Sequence, residues 1–599
     1  MRSNLLLFLP PLAAGAILRA FSLVRFLKGS PFAHHLFSDG HAYWERAAAI
    51  LAGDAPREAF YQAPLYPYAL ALFRAVAGAN LPLLYAAQHL CGLLSVFLVT
   101  AIALRALPRR AAAAAGVIYA LLPYPVYFEQ KLAPISVALP IALTALLLLD
   151  RARTGRGWVA AGAATGLVTL ARANLLLFAA ITAIWIARRA GARAVLLFAA
   201  SAAVVVLPVT VRNAVVGGGF VPVAANGGEV FYHGNNGNAA GAMGKVPELG
   251  ADIVSLAAES RAAAARDLGR SVNAAEASRY WFGRGLAWIA GHGADSFRLE
   301  MRKARILLSG RFTPISNFFD FETERFPGVP RPFIYLHYPL LFLALLALFD
   351  GAMRRRVPAP ALLFGAAQIV TVLLFFGCTR YVIPLAPIAA LLAGAAIAGG
   401  RPGPRAAVPI AAAVLLLLAA DLGWKREWAT PYAQLGSIRL EEEKGDEAVA
   451  LFEEAVRIAP MEVIHAQNLA RAEWFVGRVD RAAATIVAAV ERGIADGRTL
   501  GYLGTLYLQL ERYDEAEKVL DEAIRLEPNR ALSHFMLGRV LVRQRRWEEA
   551  ERAFLRAVEL EPDMLDAHRH LYRIYQGPLP DPEKMDREMH KVFELHGWE

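Results

Sequence analysis

Residues 35–51 read HLFSDGHAYWERAAAIL and gather Asp39, His41, Glu45 and Arg46 directly after an apolar run. A carboxylate in that setting is either a solvated loop charge or a proton acceptor held at a membrane surface. Two arginines raise a matching question about anions. Arg172 in GLVTLARANLLLF and Arg380 in FFGCTRYVIPLAP stand at the edges of apolar runs, with Tyr381 beside the second. An arginine there either extends its charged head to water or binds a specific anion through charge-assisted hydrogen bonds. A third group lies in RNAVVGGGFVPVAANGGEVFYHGNNGNAAG. Its glycines permit tight turns, and Asn226, Asn235 and Asn236 offer both donors and acceptors that suit sugar hydroxyls. His34, His35 and His233 have no spacing typical of a metal site, so no metal and no cofactor is expected.

The elements that must position these residues follow from composition. The chain has 599 residues, 56% of them hydrophobic, with a mean hydropathy of +0.38, which implies repeated membrane spans. Apolar runs near 4–27, 82–104, 111–128, 132–149, 157–171, 174–187, 194–211, 333–350, 358–376, 381–399 and 406–420 predict about eleven helical spans. The net charge of +11 could suggest nucleic acid. With the N-terminus inside, however, RALPRR, RARTGR, ARRAGAR, MRRR and RPGPR all fall in cytoplasmic loops, as the positive-inside rule requires. Nucleic-acid binding is therefore not expected. Arg172 and Arg380 break this pattern, which favours an anionic partner for each. The apolar start is expected to be an uncleaved first span, because RFLKGSPFAHH lacks a small-residue cleavage site. Cys91 and Cys378 are the two cysteines, both in or beside apolar stretches, and suit core packing.

This layout places residues 28–81, the turn at Glu129, residues 212–332 and everything after Asp421 outside the cytoplasm. In the first of these loops, Tyr43, Trp44, Ala47 and Leu51 have helical spacing suited to an interface, and the prolines of YQAPLYPYALALF break the chain before a second short helix. Residues 251–308 predict an interfacial helix pair. A break at Arg172 is needed to turn one long apolar stretch into a hairpin.

After residues 421–430, a linker, the composition becomes charged and helical. Ala448, Ala482, Ala516 and Ala550 recur every 34 residues, as do Ala455, Ala489, Ala523 and Ala557. Pro460, Pro528 and Pro562 close three of the units, with Ile494 in the equivalent place of the second. Period, small residues and closing proline predict tetratricopeptide repeats over residues 431–575, followed by a tail over 576–599. Such helix pairs stack into a superhelix with a concave surface for a protein or glycan partner, or serve as a scaffold. The expected fold is therefore all-α, a polytopic membrane bundle followed by a helical solenoid.

Over residues 1–420, SDGHAYWERAAAIL, YQAPLYPYALALF, YPVYFEQKLAP, GLVTLARANLLLF and FFGCTRYVIPLAP, in this order, resemble the GT-C polytopic glycosyltransferases. The likeness is to the bacterial branch akin to protein mannosyltransferases and the lipid A aminoarabinose transferase. The resemblance implies transfer of a hexosyl or pentosyl group from a polyprenyl phosphate to an extracytoplasmic acceptor, by a multi-pass protein of the bacterial inner membrane. It implies Asp39 as general base, Glu129 as the second outer-loop acid, and Arg172, Arg380 and Tyr381 around the lipid phosphate. Two other readings are an oligosaccharide transferase or ligase, and a membrane-anchored repeat scaffold without enzymatic activity. The sugar, the acceptor and the polyprenol length are not readable from the residues.

Overall fold

The computed structural model describes residues 6–54, 58–244, 246, 248–249, 255–308, 318–326, 333, 336–399 and 428–596. Among them every regular element is a helix, and the chain divides into two units, Met1–Trp424 and Lys425–Glu599. The span expected at 406–420 lies outside the described residues.

Among the described residues, five helices of the first unit are long and apolar enough to cross a membrane: Leu9–Gly29, Leu81–Ala103, Ala173–Ala190, Ala192–Gly217 and Thr379–Gly399. Leu65–Ala77, His337–Phe349 and Ala359–Leu374 are shorter apolar helices. The run expected as one span at 111–128 is two helices, Arg109–Ala120 and Pro123–Phe128, because Pro123 and Pro125 cannot continue the first helix. The 157–187 stretch is also interrupted. Gly155–Ala171 ends where Arg172 adopts an extended backbone, and a short turn over Ala173–Leu175 leads into Leu176–Ala190.

Close packing in this unit depends on small residues. Gly162 and Gly166 lie four residues apart on one face of Gly155–Ala171, against Ala192–Gly217. A Cβ on Gly162 would fall 2.1 Å from the Phe198 carbonyl oxygen, and one on Gly166 would fall 2.6 Å from that of Ala202. Backbones can approach this closely only without side chains, the small-xxx-small arrangement of membrane helices.

The loop elements are tied down by polar contacts. Phe60 N–H donates to Asn213 Oδ1 (3.0 Å), while Asn213 Nδ2 donates to the carbonyls of Val221 and Val223. Backbone bonds from Ala225 to Phe60 and from Asn226 to Tyr61 then hold residues 60–61 against the start of the large loop. The 255–308 region is three helices, Leu256–Leu268, Ala274–Gly291 and Gly293–Leu308. Asn273 and Glu276 start the second with reciprocal caps.

In the second unit the eight repeated alanines named above are all 0% exposed, as contact points between paired helices require. Gly436, Gly504 and Gly538 make room for Phe452, Leu520 and Phe554. The unit lacking its closing proline ends instead at Asp496, which caps the next helix by accepting from Thr499 N–H. The expected tail contains a helix, Pro582–His596, that covers the last repeat through the pairs His568–Glu588 and Lys584–Glu551.

Candidate active site

Asp39 is the first residue of the Asp39–Leu51 helix, so its carboxylate stands near the partial positive charge of a helix N-terminus. Ser38 before it has φ of 50°, a strained conformation for a residue with a Cβ, and this turn sets the direction in which the helix begins. Asp39 is 5% exposed. Gln62 Nε2 donates to its Oδ1 at 3.3 Å, and Arg380 donates to its Oδ2 in an ion pair.

Arg380 lies on Thr379–Val382, and its carbonyl accepts a hydrogen bond from Arg172 at 3.0 Å. The Arg172 guanidinium also stands 5.2 Å from the centre of the Tyr381 ring. Asp39, Arg172, Arg380 and Tyr381 thus meet in one place, from segments up to 341 positions apart. Tyr43, one turn along the helix, is buried, and burial together with the Asp39 carboxylate holds its phenol well above the ordinary range. Arg46 donates to Gln62 Oε1 at 3.4 Å, and burial lowers its guanidinium's affinity for the proton. Gln62 therefore bridges Asp39 and Arg46. It carries no charge, and nothing in the sequence singled it out.

Glu129 is 3% exposed and faces into the bundle. Arg19 donates to its Oε1 (2.8 Å), and His89 Nδ1 lies 2.7 Å from its Oε2. Gln88 adds a hydrogen bond to the Glu129 carbonyl. Gly92 leaves room for this carboxylate, since a Cβ there would fall 2.0 Å from Oε1. Arg19 and His89 escaped the sequence reading, although a charged or polar group within an apolar helix is costly enough to signal a partner. Two residues beyond Glu129, Lys131 pairs with Glu322 at 2.7 Å among the rings of Phe26, Phe32 and Tyr127, and Tyr127 donates to the other Glu322 oxygen. Burial lowers the Lys131 ammonium's affinity for its proton, opposed by Glu322.

The asparagines are placed differently. Asn235 donates to the carbonyls of Phe231 and Leu374 and accepts from Lys303, while Asn236 donates to those of Tyr232 and His233 and accepts from Asn238 N–H. Asn236 holds the loop's own backbone, and Asn235 also ties the loop to the end of the Ala359–Leu374 helix. Asn226 precedes the Gly227–Gly234 helix, beside Tyr61. Tyr61 donates to Glu229 Oε1 at 2.6 Å, and burial plus that carboxylate keep its phenol protonated. Among the described residues no group of three or more His, Cys, Asp and Glu is arranged to hold a metal ion.

A buried carboxylate flanked by arginines and a tyrosine can accept a proton while the cations bind an anion. Two stretches of the chain match known families. Residues 61–212 match the sequence model of the dolichyl-phosphate-mannose-protein mannosyltransferase family, and residues 496–561 match that of the tetratricopeptide repeat. Together they support a membrane glycosyltransferase carrying repeats. No curated protein matches the chain significantly. Among solved structures, a MamA RS-1 double mutant is 20% identical, with 29% of this chain and 96% of that one covered and a TM-score of 0.27. YrrB, described as a TPR protein with an unusual peptide-binding site, is also 20% identical, with 28% and 87% covered and a TM-score of 0.25.

Proposed function

We propose that the first unit transfers a hexosyl or pentosyl group from a polyprenyl-phosphate donor to a hydroxyl-bearing acceptor outside the cytoplasm of a bacterium, from the inner membrane. The observation that carries this reading is the meeting of Asp39 with Arg380, Arg172 and Tyr381.

In this mechanism Asp39 takes the proton of the acceptor hydroxyl as its oxygen attacks the anomeric carbon. The carbon–oxygen bond to the lipid phosphate breaks on the opposite face, so the configuration inverts, and the phosphate leaves as an anion. Arg380 and Arg172 stabilise the charge that develops there, with the Tyr381 hydroxyl as a further donor. Arg380 serves two partners in turn. Its pairing with Asp39 holds the carboxylate in place, and its movement to the phosphate frees that carboxylate for the acceptor. Glu129 assists from within the framework, fixing the segment that carries Gln88 and Lys131 through its bonds to Arg19 and His89. Asn226, Asn235 and Asn236 shape the loop that borders the sugar, and the repeats recruit a protein or glycan partner.

The test is transfer of radiolabel from polyprenyl-phosphate mannose in membranes containing the full chain, with separate recovery of protein, lipid and polysaccharide. Label in any of these fractions, lost with Asp39→Asn, supports the reading. Absence of transfer from mannosyl, glucosyl and aminoarabinosyl donors alike would overturn it.

A further inference from the structure

Besides Asp39, three carboxylates of the first unit are buried among the described residues, and they are not treated alike. Both oxygens of Glu129 are engaged, by Arg19 and His89, and both oxygens of Glu322 are engaged, by Tyr127 and Lys131. Glu229 is 2% exposed, yet only its Oε1 has a partner, the Tyr61 hydroxyl, while Oε2 meets no protein donor. One helical turn on, His233 Nδ1 donates to the Gly244 carbonyl at 2.7 Å, and its Nε2 meets no hydrogen-bond partner of the protein, 3.7 Å from Glu229 Oε1. A buried polar atom left without a partner is costly, more so on a charged group.

Glu229 lines a cleft between residues 58–61 and the helices Leu256–Leu268 and Ala274–Gly291. Tyr61, Ser260 and Ser278 contribute to its wall, with the Glu58–Arg261 ion pair at its edge. The cleft is narrow, with room for roughly one or two hydroxyl-sized groups. Its wall is rigid. Gly228 presses so closely on Ala274–Gly291 that a Cβ would fall 1.7 Å from the Ser278 carbonyl oxygen, and Ser278 Oγ accepts from Gly228 N–H. The location is equally specific: Tyr61 bonds Glu229 and the adjacent Gln62 bonds Asp39, so one dipeptide separates the cleft from the candidate base.

We infer that this cleft is a hydroxyl-binding subsite, in which Glu229 accepts hydrogen bonds from the edge of a sugar ring. The inference rests on the glycosyltransferase reading. An unpartnered carboxylate oxygen requires a donor, and a sugar edge presents hydroxyl donors at a size the cleft admits. A single carboxylate and imidazole supply too few ligands for a resident cation. The ring belongs to either the donor glycosyl group or a glycan acceptor; both present the same chemistry.

The test uses full-length protein in detergent and methyl α-D-mannopyranoside as probe, read by saturation-transfer NMR. Wild type and the exposed-site control Glu45→Gln are expected to bind it. Glu229→Gln retains the Tyr61 bond but puts an amide donor in place of the unpartnered oxygen, and Ala257→Leu fills the cleft while leaving Glu229 intact. Each is expected to weaken binding about tenfold or more, as expected for loss of a charged hydrogen bond. No binding by wild type, or equal binding by both variants, would overturn the subsite. In the transfer assay Glu229→Gln should raise the KM of one substrate with kcat within about threefold; the donor's KM identifies the donor sugar, the acceptor's a glycan acceptor. If wild type transfers nothing, the glycosyltransferase reading fails, while glycoside binding still decides the subsite.

Discussion

Asp39 and Glu129 are both buried acids, but their neighbours give them different work. Asp39→Asn keeps the size and the Gln62 contact yet cannot take a proton, so turnover should fall on the order of 10² to 10⁴ while expression is retained. Glu45, on the same helix, is exposed and is the appropriate control; Arg46, bonded to Gln62, is not. Glu129→Gln should instead act on stability. It leaves Arg19 and His89 facing a neutral amide inside the bundle, and loss of a buried charge partner costs about 3–5 kcal/mol. Thermal unfolding in detergent measures this; an unchanged midpoint with abolished transfer would make Glu129 the base. Arg172 and Arg380 could be singled out because they break the charge asymmetry of the loops, and Asp39 because it lies in a stretch that carries the family resemblance. Gln62 and Glu229 could not. A neutral amide breaks no hydropathy pattern, and the missing partner of Glu229 Oε2 exists only once distant segments have packed.

At the scale of elements, helix existence was readable from apolar runs, whereas close approach was not. The sequence contains Gly162 and Gly166, but which backbone they face depends on the fold. Gly162→Ala should destabilise the pair formed with Ala192–Gly217 by about 1–3 kcal/mol, because its Cβ meets the Phe198 carbonyl. Gly283→Ala, on an open helix surface, should be neutral or slightly stabilising in the same thermal assay. The Pro582–His596 helix permits a pH test. Burial pulls the His568 pKa down, but hydrogen bonds to Glu588 and the Pro562 carbonyl outweigh it, and the net shift is upward. Its contribution is thus complete below the ordinary histidine pKa of about 6.5 and lost as pH rises through the raised value. Hydrogen exchange in this helix should accelerate across that window, and His568→Gln should remove the dependence.

For the whole molecule, the 34-residue period made the second unit the most legible part, since each repeat states the same packing again. The first unit has no such redundancy. Its helices are individually visible, but pairs such as Lys131 with Glu322 join segments 191 positions apart and leave no local trace. The arginine clusters predict that the repeats lie outside the cytoplasm; a compartment-sensitive reporter fused after Glu599 should give the extracytoplasmic signal, and a cytoplasmic signal would reverse the topology. The Asp39–Arg380 pair has one more consequence, in time. The ribosome makes the arginine 341 residues after the aspartate, roughly tens of seconds later at ordinary elongation rates. Until then the carboxylate has no Arg380 to pair with, so a nascent chain stalled before Arg380 holds the proposed base without its cation, and under the proposed mechanism competence arrives only once Arg380 has been synthesised.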